Sequence, residues 1–278
     1  MSNGIEFYEN DDGVALIRVN RPAARNALTW AAQDAFADAV NVIEQNRSAR
    51  VLIITGTGPA FVSGGDLKEL SRHPERDAGE RLNRVMSEAL GRLAGLPCPV
   101  IAAVNGDAVG GGCEIVTACD LRLAAHEARF AFRQVHNGLT TGWGGTSRLV
   151  ALIGRSRAME LLLTGRTIDA AEAQSMGLIH RVAAPGVDAL DEAFVWAREL
   201  LLLPQHALAA TKMLVHAAAD RSSSDIDRLE AQLFIDLWPS ADHIEAMEAF
   251  AAKRSPVFNR DGNKPDGPQA PLSTRLTP

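Results

Sequence analysis

The chain has 278 residues, enough for one large domain or one domain with a smaller appendage, and for a sizeable buried core. Hydrophobic residues make up 46% and charged residues 22%, which excludes a disordered composition and fits a globular enzyme. A formal net charge of -6 argues against nucleic acid as a partner, and no apolar run reaches membrane-spanning length, Leu200 to Leu203 being too short. The three cysteines, Cys98, Cys113 and Cys119, form no even framework, and Met1 to Asn10 is polar, so a reducing, cytoplasmic setting is expected.

In chain order, Gly13 to Val19 reads as a strand ended by Asn20-Arg21-Pro22, because proline cannot continue a ladder. Thr29 is placed to cap a helix running to about Gln45, with Ala35, Phe36, Ala39, Val40 and Ile43 on one face. Val51 to Thr55 is a nearly all-apolar strand, the pattern of a parallel strand covered on both sides. A glycine turn at Gly64-Gly65 feeds a short helix, and the polar stretch His73 to Gly79 reads as a mobile loop before a helical stripe at Leu82, Val85, Met86, Ala89, Leu90 and Leu93. Pro99 to Val104 is a buried strand, Asn105 to Gly112 a glycine turn, and Cys113 to Cys119 a buried helix carrying one acid, Glu114, about one turn in.

Short strands follow at Leu121 to Ala124 and Arg129 to Phe132, then a third glycine turn, Gly142-Trp143-Gly144-Gly145. Helices are read over Thr146 to Ile153, Arg157 to Leu163 and Ala170 to Met176, and a last strand over Ile179 to Val182. This alternation predicts an α/β fold with right-handed crossovers. From Asp188 four helical patterns succeed one another without a strand. The domains expected are a core over residues 1-187, a helical region over 188-258 and a Pro/Gly-rich, poorly ordered tail over 259-278.

Several motifs fail on inspection. No Gly-Lys-Ser/Thr follows Gly106 to Gly112, and neither glycine run has the dinucleotide-binding spacing. Phe61 replaces the first glycine of a nucleophile elbow around Ser63, and Phe130 replaces the second histidine of a zincin pattern begun by His126-Glu127. The seven histidines are scattered, so no metal site is expected. Cys113 reads as a small buried hydrophobe or a nucleophile, and Arg21, Arg25, Lys253 and Arg254 as solvated or phosphate-binding cations. What stands out is the combination: two glycine turns, each after an apolar strand and each opening a helix, able to offer one N–H apiece to one oxyanion. Spacing alone leads no further than an α/β enzyme with an anion-stabilising turn.

Asn20-Arg21-Pro22 with Asn26-Ala27-Leu28, Phe61 to Leu70, Pro99 to Glu114 with Cys119-Asp120, Trp143 to Thr146 with Arg148-Leu149, Leu163-Thr164-Gly165 with Ala173 and Gly177-Leu178, and Phe250 to Lys253 are similar to the motifs of the crotonase superfamily, the enoyl-CoA hydratase/isomerase family. The resemblance covers the chain to about Phe258. It implies a crotonase-like (ClpP/crotonase) spiral of ββα units, a C-terminal helical region that mediates trimerisation, often a dimer of trimers, and an acyl-CoA thioester substrate with no separate cofactor. It places the oxyanion hole on the amides of Gly65 and Gly111. It places coenzyme A contacts on Ala24, Arg25 and Ala27, on Ser63, Gly65, Asp66 and Leu67, and on Phe250 and Lys253 at the adenine and 3′-phosphate. The acyl pocket wall would include Leu139, Trp143 and the His73 to Gly79 loop.

Glu114 matches one catalytic glutamate of the hydratases, while the position of the second holds Gln134. Hydration needs a proton taken from water and a proton delivered to the α-carbon. A glutamine orients a water but exchanges no proton. His136 would share a face with Gln134 if the backbone there were extended, and is then a candidate substitute; the other reading is an ordinary surface histidine. Three functions follow from the resemblance: hydration of a 2-enoyl-CoA through a thioester enolate with Glu114 as acid/base; isomerisation or malonyl-type decarboxylation through the same enolate; or binding of coenzyme A esters without efficient catalysis.

Overall fold

The computed structural model describes residues 3–220 and 222–258; the tail expected over 259–278 lies outside the described residues. Strand β1 (Ile5–Glu9) pairs antiparallel with β2 (Val14–Val19). Helix α1 (Trp30–Asn46) starts at Thr29, whose side chain accepts from the Ala32 N–H as the sequence predicts. Then the chain repeats one manoeuvre three times: a strand in one sheet, a strand in a second sheet, and a helix. The units are β3 (Val51–Gly56) and β4 (Ala60–Val62) with α2 (Leu67–Leu70) and α3 (Arg76–Gly95); β5 (Val100–Val104) and β6 (Asp107–Val109) with α4 (Gly111–Ala118); and β7 (Leu121–Ala124) and β8 (Arg129–Ala131) with α5 (Gly145–Thr164). β9 (Ile168–Asp169), α6 (Ala170–Met176), β10 (Arg181–Val182) and α7 (Ala189–Leu201) complete a first compact unit that ends at Leu201.

The larger sheet has the order β1-β2-β3-β5-β7-β10, parallel except at β1, and the smaller β4-β6-β8-β9, parallel except at β9. Period-two alternation explains the apolar strands. Ala15, Ile17, Leu52, Ile54, Ala102 and Val104 join the core that contains Phe36 of α1 and Leu90 of α3. Their neighbours Leu16, Val51, Ile53, Ile101 and Ala103 join a second cluster with Ala189, Ala193 and Trp196 of α7. The helix expected from residue 188 therefore packs on the sheet and belongs to the first unit.

The local reading needs four corrections. Residues 105–110 are not one turn: β6 lies between Val104 and the glycines, carrying the chain to the second sheet before α4 begins. The expected loop at His73 to Gly79 is half helix, since α3 starts at Arg76. The two helices expected at 146–153 and 157–163 are one, interrupted at Gly154, whose φ of 78° breaks the helical path. Three strands have no counterpart in the sequence reading: β1, a partly exposed edge strand without a buried face, and β4 and β9, too short to show a period.

The second unit begins at Leu202 and holds α8 (Gln205–Asp220), α9 (Ser223–Leu237) and α10 (Ala241–Ala251), the last two capped by Ser222 and Ser240. Val215, Phe234, Ile235, Trp238, Ile244 and Met247 on these helices are exposed. No described helix is long and apolar enough to cross a membrane.

In the first unit the buried Arg122 donates to the carbonyls of Cys119, Asp120 and Leu178, and its amide donates to His180 Nδ1. Partial burial, with the Arg122 and Arg181 charges, lowers the His180 pKa to about 4 from 6.5. The fold thus holds a neutral imidazole, so stability is full above pH 6.5 and falls as pH drops towards 4, where the unfolded chain binds the extra proton. Urea midpoints at pH 7 and pH 4.5 should drop more for the wild type than for His180→Gln; equal drops would contradict this.

Candidate active site

The parallel pairing of β4 with β6 brings two glycine turns side by side. Gly64 has φ +89° and Gly110 φ +56°, backbone that favours glycine. Leu28 N–H donates to Gly64 O (2.8 Å) and Asp66 N–H to Leu28 O (2.9 Å), pinning the first turn. The second turn runs into α4, with Gly110 as N-cap and Gly111 as first residue. A Cβ on Gly64 would sit 3.1 Å from the Gly111 nitrogen, so the turns are in contact. Among the described residues, the amides of Gly65 and Gly111 donate no hydrogen bond. The arrangement is two unpaired backbone donors, one at a helix N-terminus, on adjacent strand ends.

Glu114, one turn along α4, is 2% exposed. Its Oε2 accepts from the Trp143 amide (2.8 Å) and the Gly145 amide (2.9 Å), and its Oε1 from Gln134 Nε2 (2.9 Å) and the Gly142 amide (3.3 Å). Gly144 at φ +81° turns the chain so that these amides point at the carboxylate. Gly145 must lack a side chain: a Cβ there would lie 2.6 Å from Glu114 Cγ. Behind the turn Arg148 donates to the Trp143 carbonyl. Burial lowers the Arg148 pKa, and the Glu114 charge opposes that shift. Gln134 lies in a 3-10 turn, Arg133–Asn137, and its Oε1 is buried without a donor.

That turn decides the fate of His136. The backbone is not extended, so residues 134 and 136 do not share a face. His136 Nε2–H donates to Thr164 O (2.8 Å), and Nδ1 accepts from Arg133 (3.0 Å). Both ring nitrogens are engaged away from Glu114, and the surface-histidine reading holds. Cys113 is also settled: burial pushes its thiol pKa far up and Sγ–H donates to Ala108 O, so it packs rather than reacts.

The remaining candidates are dispersed. Ala24 ends a 3-10 turn, Pro22–Ala24, and the Ala27 carbonyl accepts from Arg21. Arg25, at φ +52°, pairs with Asp107 at 2.6 Å. Arg25, Asp107, Arg129, Arg133 and Thr167 line a cleft of about 200 Å³ over β6 and β8. Burial would raise the Asp107 pKa, but the Arg129 and Arg25 guanidiniums hold it below the usual carboxylate range. Ser63 precedes the first glycine turn. Asp66 caps α2 and pairs with Arg21, and Leu67 is exposed. Leu139 is exposed, whereas Trp143 is buried, with its ring where a Gly111 Cβ would fall. Phe250 is exposed on α10 of the second unit and Lys253 follows that helix at φ +52°. No described residues form a metal-holding group of three or more His, Cys, Asp or Glu.

Three contributors escaped the sequence reading. Asn26 is fully buried and ties Arg21 N, Thr57 O and Ala60 O together. Arg148 appeared only inside a motif. The amides of 142–145 were read as a turn, and nothing in residue type marks an amide as a carboxylate's partner.

Comparison with known proteins follows the same lines. A family profile described as "Enoyl-CoA hydratase/isomerase" matches residues 9–261. The chain is 38% identical over 252 residues to a Mycobacterium tuberculosis protein named "Probable enoyl-CoA hydratase echA8", covering 91% of this chain and 96% of that protein. It is 35% identical over 251 residues to a Dictyostelium discoideum protein named "Probable enoyl-CoA hydratase, mitochondrial", covering 90% and 89%. Among solved structures, an enoyl-CoA hydratase from Mycobacterium smegmatis superposes with TM-score 0.86 at 30% identity over 91% of this chain and 98% of that one. One from Bacillus anthracis gives 0.86 at 31% over 92% and 98%.

A buried carboxylate with four donors is a structural anchor. Glu114→Ala leaves buried N–H groups at Trp143 and Gly145, and the Gln134 amide, unpaired. The expected loss by urea denaturation is about 3–5 kcal/mol. A loss below about 1 kcal/mol would show that the carboxylate does not hold the turn.

Proposed function

The chain belongs to the enoyl-CoA hydratase/isomerase family of the crotonase superfamily, with that superfamily's fold, and from this premise we propose that it hydrates the double bond of a 2-enoyl-CoA thioester. The observation that carries the reading is the pair of unpaired Gly65 and Gly111 amides beside one buried carboxylate. The thioester oxygen would accept from both amides, which bind it more tightly as it becomes an enolate. Water adds to C3 as the C2–C3 π pair moves into the thioester. Glu114 Oε1, whose bond from Gly142 is the longest of the four, takes the water's proton and returns it to C2. Water is added, the carboxylate is regenerated, and no metal or further cofactor is required. One carboxylate doing two proton transfers should cost about 10²–10⁴ in rate relative to a matched pair.

Gln134 favours a second reading. Its amide donates to Glu114 and exchanges no proton. Decarboxylation of a malonyl-type thioester makes the same enolate by loss of CO₂, and isomerisation of a 3-enoyl thioester needs only one base. Arg25 of the first unit is our candidate for a coenzyme A contact there, and Phe250 and Lys253 of the second unit are candidates, taken separately, for the adenine and 3′-phosphate. The exposed apolar side chains of α8, α9 and α10 suit a homotrimer or dimer of trimers. Three buried cysteines in no disulfide suit the cytoplasm.

Purified wild type and Glu114→Gln are to be assayed with crotonyl-CoA, a 3-enoyl-CoA and methylmalonyl-CoA. Crotonyl-CoA hydration that falls at least 100-fold in Glu114→Gln is expected. Hydration surviving that change contradicts the mechanism. Turnover of only the other two substrates supports the second reading, and tight binding without any turnover supports a binding protein.

A further inference from the structure

The small sheet carries a charge cluster that Glu114 and the two glycine turns do not use. Period-two alternation buries Ala108 of β6 and Phe130 of β8 in the core and turns Asp107, Val109, Arg129 and Ala131 to the other face. The parallel register makes Asp107 and Arg129 neighbours across the two strands. Arg129 holds that carboxylate with a two-pronged bond, Nε to Oδ1 (3.0 Å) and Nη2 to Oδ2 (2.9 Å), and Arg25 reaches the same Oδ2 (2.6 Å). Arg133, in the same lining, donates to neutral acceptors, His136 Nδ1 (3.0 Å) and the Thr167 hydroxyl (3.3 Å). Asp169, opposite Arg129 in β9, is committed to the Glu172 amide as the cap of α6. Three arginines therefore share one aspartate around a cleft of about 200 Å³, a formal charge of +2. A guanidinium has five N–H donors, and these bonds use at most two on each arginine.

We propose that this cleft is a binding site for a phosphate dianion, held by Arg25, Arg129 and Arg133 with the Thr167 hydroxyl as a further donor. Phosphate groups carry close to two negative charges near neutral pH, which matches the charge of the cleft. Planar guanidinium forks suit phosphate oxygens, and Val109 and Ala131 add no competing polar side chain. Asp107 orients Arg25 and Arg129 without cancelling the cluster. The site goes beyond the thioester reading and does not depend on it: Arg129 and Arg133 lie outside every motif that marks the family, and Glu114 takes no part. The same chemistry has two sources, free phosphate and a phosphate group of coenzyme A.

Isothermal titration of inorganic phosphate into wild type, Arg129→Gln and Arg133→Gln, at about pH 7.5 and fixed ionic strength in chloride, tests it. Wild type should bind phosphate saturably at one site, with a dissociation constant of about 1 mM or lower. Each variant should weaken that binding roughly tenfold, since each loses one charge-assisted contact. The wild-type titration is repeated in the presence of coenzyme A. Displacement of phosphate identifies the coenzyme as the source, undisturbed binding identifies free phosphate, and both results support the site. Absence of saturable phosphate binding overturns it, as does binding unchanged in either variant, and both leave the thioester reading standing. If Arg133→Gln is too unstable to titrate, Arg129→Gln decides, because its side chain is exposed and outside the 3-10 turn.

Discussion

The carboxylate of Glu114 joins three segments that sequence keeps apart: α4, the 3-10 turn at Gln134 and the first residues of α5. A helix start leaves N–H groups without intrahelical partners. Gly144 and Gly145 have no side chain to cap α5, and Glu114 supplies the acceptor from another helix, an anion at the positive end of the dipole. Gly145 is required by the same contact, because a Cβ on it would overlap the carboxylate. The anchor of the turn and the proposed base are therefore one side chain, and its carboxylate is held by hydrogen bonds on both oxygens.

The pair of amides proposed as an oxyanion hole follows from the two-sheet construction. The first two ββα units each end a strand of the small sheet just before a glycine turn, and parallel pairing of β4 with β6 puts these two turns side by side. Positive φ at Gly64 and Gly110 frees the next amide in each case. The Trp143 ring occupies the space over Gly111 that a side chain would need. The segment that binds Glu114 is thus the one that covers the oxyanion donor, and a shift of the 142–145 turn would disturb both.

Much of this was legible in the sequence, and the reasons for the misses are physical. Val51 to Ile54 announced a strand covered on both faces, and the structure places Leu52 and Ile54 in one cluster and Val51 and Ile53 in the other. Thr29 announced its helix, and Glu114 and the glycine turns, singled out in the sequence, lie close together in the fold. β6 was hidden because three residues, Asp107-Ala108-Val109, are too few to show a period, and their strand character comes from pairing with β4 and β8. The two readings of His136 turn on the local backbone: a 3-10 turn and an extended strand send residue i+2 in different directions. Asn26 and Arg148 act through main-chain carbonyls and amides, which leave no trace in residue type.

The central claim is that Glu114, as the one base, makes an enolate held by Gly65 and Gly111. Proton exchange at C2 reads this without needing water addition or a second acid. Butyryl-CoA is incubated in D₂O with wild type and with Glu114→Gln, and deuterium at C2 is followed by NMR. The account predicts incorporation at C2 with wild type and none above background with Glu114→Gln. Exchange at an undiminished rate in Glu114→Gln would contradict it.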